Sequence, residues 1–102
     1  MTVIMQQTMP EGTTLEFLDE VTKQMGVETA PPAGLVVHTH FVERDHVQIV
    51  DVWDSQEDLE RFEESLLRPT MQRVAAEHGM DMSQMPQPDT TNMTVCWLVK
   101  GR

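Results

Sequence analysis

The apolar positions of this chain change their spacing several times, and each change marks a new element. Val3, Ile4 and Met5 open a β-prone run that the turn residues Met9-Pro10-Glu11-Gly12 close, which predicts a strand over Val3–Thr8. Leu15, Leu18, Val21 and Met25 then recur at three- and four-residue steps, the single stripe of an amphipathic helix. Thr13, followed three residues later by Glu16, is placed to open that helix with a capping box, and Gly26 suits the left-handed residue that ends it. The connector Thr29-Ala30-Pro31-Pro32-Ala33-Gly34 can be neither helix nor central strand.

Residues 35–42 and 46–53 form two β-branched, apolar runs separated by the short polar segment Glu43-Arg44-Asp45, which predicts a hairpin. Ser55, with Asp58 three residues on, starts a second helix whose inward stripe is Leu59, Phe62 and Leu66. Glu57, Glu60, Glu63 and Glu64 are assigned mostly to its solvated side. Pro69 is comfortable only in a first turn, so this helix is predicted to break there and resume over residues 69–77, stopping at His78-Gly79. Residues 80–89, rich in Met, Gln and Pro, read as irregular and loosely packed, and residues 93–99 as the last strand.

The predicted order is β-α-β-β-α-β. A right-handed crossover turns that order into a ferredoxin-like α+β sandwich, an antiparallel sheet with its helices on one face. A sheet covered on one side should alternate apolar with polar, yet Leu35, Val37 and Phe41 lie on one parity and Val36 and Val42 on the other. The second face needs a cover, and a second copy of the same sheet is the simplest one. A chain of 102 residues with no composition break fits one domain, 1–102.

Charge narrows the partners. Seventeen acidic against seven basic residues give a net charge of −10. That field repels phosphates, so neither nucleic acid nor an anionic membrane surface is an expected partner. Apolar runs of four or five residues fall far short of the ~20 that span a bilayer. Met1-Thr2-Val3-Ile4-Met5 has no basic stretch ahead of an apolar one, so it does not read as a secretory signal. The single cysteine, Cys96, fits a reducing compartment, and a cytoplasmic address is expected. With no charged neighbour to make it a thiolate, Cys96 is read as an inert buried thiol.

The hairpin register carries the sharpest chemical inference. An odd-numbered turn would set His38 opposite Val50, whereas an even-numbered turn centred on Arg44-Asp45 sets Val42 opposite Val47, His40 opposite Ile49 and His38 opposite Asp51. Val36, His38, His40, Val42, Val47, Ile49, Asp51 and Trp53 then share one face, a pocket wall. Leu35, Val37, Thr39, Phe41, Val50 and Val52 share the other, a packing surface. A cross-strand imidazole and carboxylate lie about 5 Å apart at Cβ, close enough to hydrogen-bond. Asp51 could thus orient His38 as a general base, or the two could simply satisfy each other in the interior. His40 and Trp53 would contact a substrate. Other readings are weaker. Histidines two apart on a strand share a face, but no third ligand follows at a fixed offset, so no metal is assigned to His38 and His40 with His46 or Asp51. Met80, Met82 and Met85 near His78 offer soft ligands, yet nine methionines in so short a chain suggest adaptable packing. Trp97, like Trp53, is either a stacking surface or core. Nucleophilic triads, phosphate-binding glycine loops and zinc spacings are absent, and nothing calls for a nucleotide, flavin or haem cofactor.

The segments Gly34-Leu35-Val36-Val37-His38 and Ile49-Val50-Asp51-Val52-Trp53-Asp54-Ser55 resemble the dimeric α+β barrel superfamily, and within it the small proteins grouped with antibiotic-biosynthesis monooxygenases. Residues 57–71, with Phe62 and Leu67-Arg68-Pro69, resemble the broken second helix of that group. The resemblance implies a homodimer of sheets packed back to back, with a small-molecule pocket between each sheet and its own helices. It also implies a range of chemistries: cofactor-free oxygenation, polyketide cyclisation, haem degradation and muconolactone-type isomerisation. The alternatives are a ligand-binding protein without turnover and a purely structural dimer whose pocket is filled by its own methionines. Fold alone does not choose among them. The expected ligand is small, apolar and aromatic or polyketide-like.

Overall fold

A computed structural model of the chain describes residues 1–101. Its four-stranded antiparallel sheet comprises β1 (Val3–Thr8), β2 (Leu35–Glu43), β3 (His46–Trp53) and β4 (Asp89–Thr94), in spatial order β2-β3-β1-β4. Helix α1 (Leu15–Met25) connects β1 to β2, and the helical segment from α2 (Gln56–Phe62) to α3 (Arg68–Glu77) leads from β3 towards β4. This is the ferredoxin-like arrangement the sequence predicts.

Local sequence explains most boundaries. Thr14, not Thr13, caps α1: its backbone is extended and its hydroxyl accepts the Phe17 N–H at 3.1 Å. Either threonine has the chemistry for that role, so the expected pairing of Thr13 with Glu16 is displaced by one residue. Gly26 closes the helix at φ 69°, as its lack of a Cβ permits. Ser55 caps α2 by accepting the Asp58 N–H at 3.1 Å. In the β2–β3 hairpin, Arg44 and Asp45 both take left-handed conformations, φ 52° and 64°, the two-residue turn whose twist matches that of the strands.

Three predicted features are corrected. The second helix does not break at Pro69. It continues through a π-helical turn, Glu63–Leu67, with right-handed helical backbone at both junctions. The wider turn precedes the proline, which enters at the start of α3 where an absent N–H costs least. The last strand runs over Asp89–Thr94 rather than residues 93–99. Pro86 and Pro88 cannot donate ladder bonds, and the chain becomes free to pair with β1 immediately after them, so Asp89 meets Thr8 and Thr94 meets Val3. Cys96 and Trp97 consequently lie beyond the sheet and are exposed, Trp97 at 84%, so neither is a core residue. Finally, β2 carries a bulge between Leu35 and Val37. Leu35 pairs with Trp53 and joins the pocket face, Val36 is the extra residue, and Val37 pairs with Val52 on the outer face. Gly34, at φ 86°, sets up that entry: a Cβ there would collide with the Asp58 carboxylate.

Between sheet and helices lie two apolar clusters, Val3, Met5, Trp53 and Leu59 in one, Met9, Leu18 and Val47 in the other. Half-buried Ile49 touches both. Trp53 is fully buried and tilts against the Phe62 ring at a centroid distance of 5.0 Å. Residues 80–88 hold one 3-10 turn, Met82–Gln84, opened by Asp81. The Asp81 carboxylate accepts the Ser83 hydroxyl and N–H, which holds its pKa below the ordinary 3.8.

Candidate functional site

The site grows out of the hairpin. Its tight turn fixes the register Val42–Val47, His40–Ile49 and His38–Asp51, so alternate residues of β2 and β3 face the helices. On neighbouring β1, Met5 lies opposite Asp51 and Gln7 opposite Ile49, extending the same wall. Met25 and Pro32 come from the end of α1 and its connector, and Leu59, Phe62, Glu63 and Leu67 close the far side. The space inside amounts to about 50 Å³ for the centre of a water-sized sphere. That is room for a few waters, well short of a pocket already shaped for a drug-sized ligand.

Along the sheet wall runs an unbroken chain of polar contacts. Asp51, 3% exposed, lies with Oδ1 2.6 Å from His38 Nδ1, while its Oδ2 accepts the Trp53 indole N–H at 3.3 Å. His38 Nε2 meets His40 Nδ1 at 3.0 Å, and His40 Nε2 meets the Asp19 carboxylate of α1 at 2.9 Å. The chain thus leads from a buried carboxylate to one whose side chain is 66% exposed.

A proton inventory gives this geometry chemical content. Three contacts join two carboxylates and two imidazoles, and each needs one proton. Two neutral rings carry two. If Asp51 and Asp19 each accept a ring N–H, the lone pairs of His38 Nε2 and His40 Nδ1 converge across the 3.0 Å gap. One more proton, placed in that gap, completes every bond in the chain. In that tautomer assignment the unfilled contact lies between the two rings, in a pocket otherwise lined mostly by apolar side chains.

The structure brings all four predicted residues, His38, Asp51, His40 and Trp53, to this wall. It does not add His46, which sits at the hairpin end with its ring 3.3 Å from the Met9 carbonyl. Among the described residues no group of three His, Cys, Asp or Glu could hold a metal ion. Met80 and Met85 border one surface groove with His78, and Met82 and Met85 border another.

Glu63 is the residue the sequence reading misplaced. It was assigned to the solvated side, yet it lines the pocket. Its position relative to Leu59 was the available signal: four residues at 100° each return it to within about 40° of an inward residue. The π turn then swings Leu67 inward in place of the expected Leu66. The Glu63 carboxyl makes no hydrogen bond or salt bridge with a described residue. Burial pushes its pKa above the ordinary 4.5, the charges of Glu60, Asp51 and Glu64 push the same way, and Arg68 opposes them.

The class these features define is the ferredoxin-like α+β fold with a pocket enclosed between sheet and helices. No protein-family model matches the chain, and no curated protein does. Solved structures do match. SnoaB from Streptomyces nogalater, a cofactor-independent oxygenase, is 18% identical with a TM-score of 0.57, over 98% of this chain and 97% of that one. Rv0793 from Mycobacterium tuberculosis is 13% identical with a TM-score of 0.62, over 97% and 98%. A candidate antibiotic biosynthesis monooxygenase from Nitrosomonas europaea is 11% identical with a TM-score of 0.64, over 95% and 100%. At such identities the likeness shows the fold, that of the antibiotic-biosynthesis-monooxygenase-like α+β proteins. No helix among the described residues is long and apolar enough to cross a membrane.

Proposed function

We propose that this protein is a cofactor-independent oxygenase for a small hydroxylated aromatic compound. The observation that carries this reading is the close approach of His38 Nε2 and His40 Nδ1, 3.0 Å apart in a pocket lined mostly by apolar side chains. A phenolic hydroxyl gives its proton to the His38–His40 gap, with Asp51 and Asp19 fixing the outer nitrogens. The anion left behind carries charge on its ring carbons and reacts there with dioxygen. Trp53 and His40 border the ring. A cofactor-independent oxygenase among the proteins of this fold supports the choice of oxygenation over aldol-type cyclisation, which the same base could promote.

The working assembly in this reading is a homodimer, because the outer sheet face exposes Val37 at 45% and Phe41 at 40%. A second copy of that face is its complement.

α-Naphthol is a suitable probe, since its oxidation to naphthoquinone consumes one dioxygen and releases one water. The wild type is expected to take up oxygen and form quinone without added metal or cofactor. His38→Ala is expected to lower kcat by about a hundredfold or more. No oxygen uptake above the buffer rate by the wild type would defeat the proposal.

One observation favours a second reading. Both ring nitrogens of His38 are already engaged by protein groups, as in a wall that binds but does not react. A pure binding protein would bind α-naphthol saturably, consume no oxygen, and keep its affinity in His38→Ala.

A further inference from the structure

The histidine pair accounts for one proton. Oxygenation needs a second transfer, because the peroxide formed on the ring must be protonated before its O–O bond breaks. Glu63 stands on the helix wall of the same pocket as the histidine pair on the sheet wall. Leu59, Phe62, Leu67, Leu18 and Ile49 line that pocket with it, and Arg68 is the cation that acts on it from its own helical segment. Glu63 is half-buried, and a partly desolvated carboxyl without a protein partner favours its neutral form or a ligand to bond. Glu57, Glu60 and Glu64 of this helical segment are exposed, and Asp58 is bonded to Ser55 and Arg61. The structure thus places Glu63 on the lining of the same pocket as the histidine pair, where burial favours its acid form.

We propose that Glu63 is a further catalytic residue of the pocket, the acid that protonates the substrate peroxide and then removes the last ring proton. This inference rests on the oxygenase reading above. For α-naphthol the steps balance. The histidine pair takes the hydroxyl proton, and the para carbon of the anion bonds to dioxygen, giving a peroxide anion. Glu63 gives its proton to the outer oxygen of that peroxide. The Glu63 carboxylate then removes the hydrogen remaining on the same carbon, the C–H electron pair forms the carbonyl, and the O–O bond breaks. Hydroxide leaves and takes the proton held by the histidine pair, forming water. Both acid–base groups end as they began.

The charges facing Glu63 decide its pH response. Glu60, Glu64 and Arg68 act from its own helical segment and Asp51 from the sheet. His38 and His40 line the same cavity, and a cation stored between them would favour the ionised carboxylate. With that gap empty, burial and the neighbouring carboxylates favour the acid form of Glu63, and loading the gap shifts it towards the carboxylate that acts as base.

Two measurements on the full chain test this. Oxygen uptake with α-naphthol is expected to fall about a hundredfold in kcat for Glu63→Gln, with KM changed little and Glu63→Asp recovering part of the loss. The alkaline limb of the kcat–pH profile is expected to vanish in Glu63→Gln, because the resting enzyme needs the protonated acid. Wild-type kcat in Glu63→Gln, or survival of that limb, would overturn the role while leaving the histidine base standing. The second measurement needs no turnover: a carboxyl carbon NMR titration of glutamate-labelled protein. Glu63 is expected to titrate above the surface glutamates, and its titration is expected to move when α-naphthol binds. Titration at the ordinary 4.5, or indifference to α-naphthol, would overturn the proposal even if the wild type proves inactive.

Discussion

The two faces of one sheet have opposite characters here, although the same four strands supply both. The face towards the helices carries Val3, Met5, Asp51 and Trp53, all buried, and its polar groups bond to one another. The outer face carries Val37, Phe41 and Met93, all exposed, interspersed with polar Thr39 and Gln6. In the inner face, energy comes from enclosure: apolar burial plus charged groups that would be orphaned if a partner were lost. The outer face has apolar area without enclosure, so its contribution waits on something that covers it. The inner face should therefore fail by unfolding, and the outer one by dissociation.

Four measurements sharpen or break that contrast. Trp53→Ala should cost the most, about 3–5 kcal/mol, because it empties the centre of the inner cluster; Trp97→Ala, at an exposed position, should cost less than about 0.5 kcal/mol. Urea unfolding of both variants checks this, and equal losses would erase the distinction between core and tail. Asp51→Asn comes next, at about 1.5–3 kcal/mol. An amide can accept the His38 N–H, but its NH2 then faces the Trp53 N–H, donor against donor. A neutral effect in the same assay would mean that the buried charge adds nothing to the fold.

Phe41→Ala is the test of the outer face. If a second copy covers it, the dimer dissociation constant should rise about ten- to a hundredfold, the worth of ~1.5–3 kcal/mol of lost burial. Sedimentation equilibrium reads the change. A wild type that is a folded, monodisperse monomer at micromolar concentration would break the comparison. The smallest effect belongs to Glu63→Gln. Its folded-state pKa is raised above the unfolded 4.5. The contribution Glu63 makes to stability is thus complete below that value and is lost as pH rises through the folded pKa. Glu63→Gln should be more stable than wild type at neutral pH, with the gain fading as pH falls towards 4.5 and below. Chemical unfolding at several pH values checks the sign.

What the sequence revealed follows the range of the interactions involved. The His38–Asp51 pairing was legible because a turn of fixed length propagates its register along the whole hairpin. The bulge at Val36 was not, since Leu35-Val36-Val37 is apolar throughout and alternation carries no information there. Glu63 was misassigned because its charge was weighed above its angular position, and the π turn depends on how Pro69 and the packing of Leu67 are reconciled in three dimensions. The last strand was sought where hydrophobicity peaks, over Val95-Cys96-Trp97-Leu98-Val99. Pairing instead began where Pro88 released the backbone, on the polar run Asp89-Thr90-Thr91-Asn92. The His40–Asp19 contact joins a strand to a helix, and no local pattern announces it.

The methionines of the pocket wall have one more consequence. Met5 and Met25 are unbranched, and their side chains can change shape at little cost. A cavity bounded in this way behaves like a soft mould: it yields to the outline of a guest while the polar points on opposite sides stay fixed. In the oxygenase reading proposed above, such a wall would sort compounds by where their hydroxyl groups fall and only loosely by ring count or contour. It is suited to a family of related molecules rather than to one of them, and a change of guest needs no change of backbone.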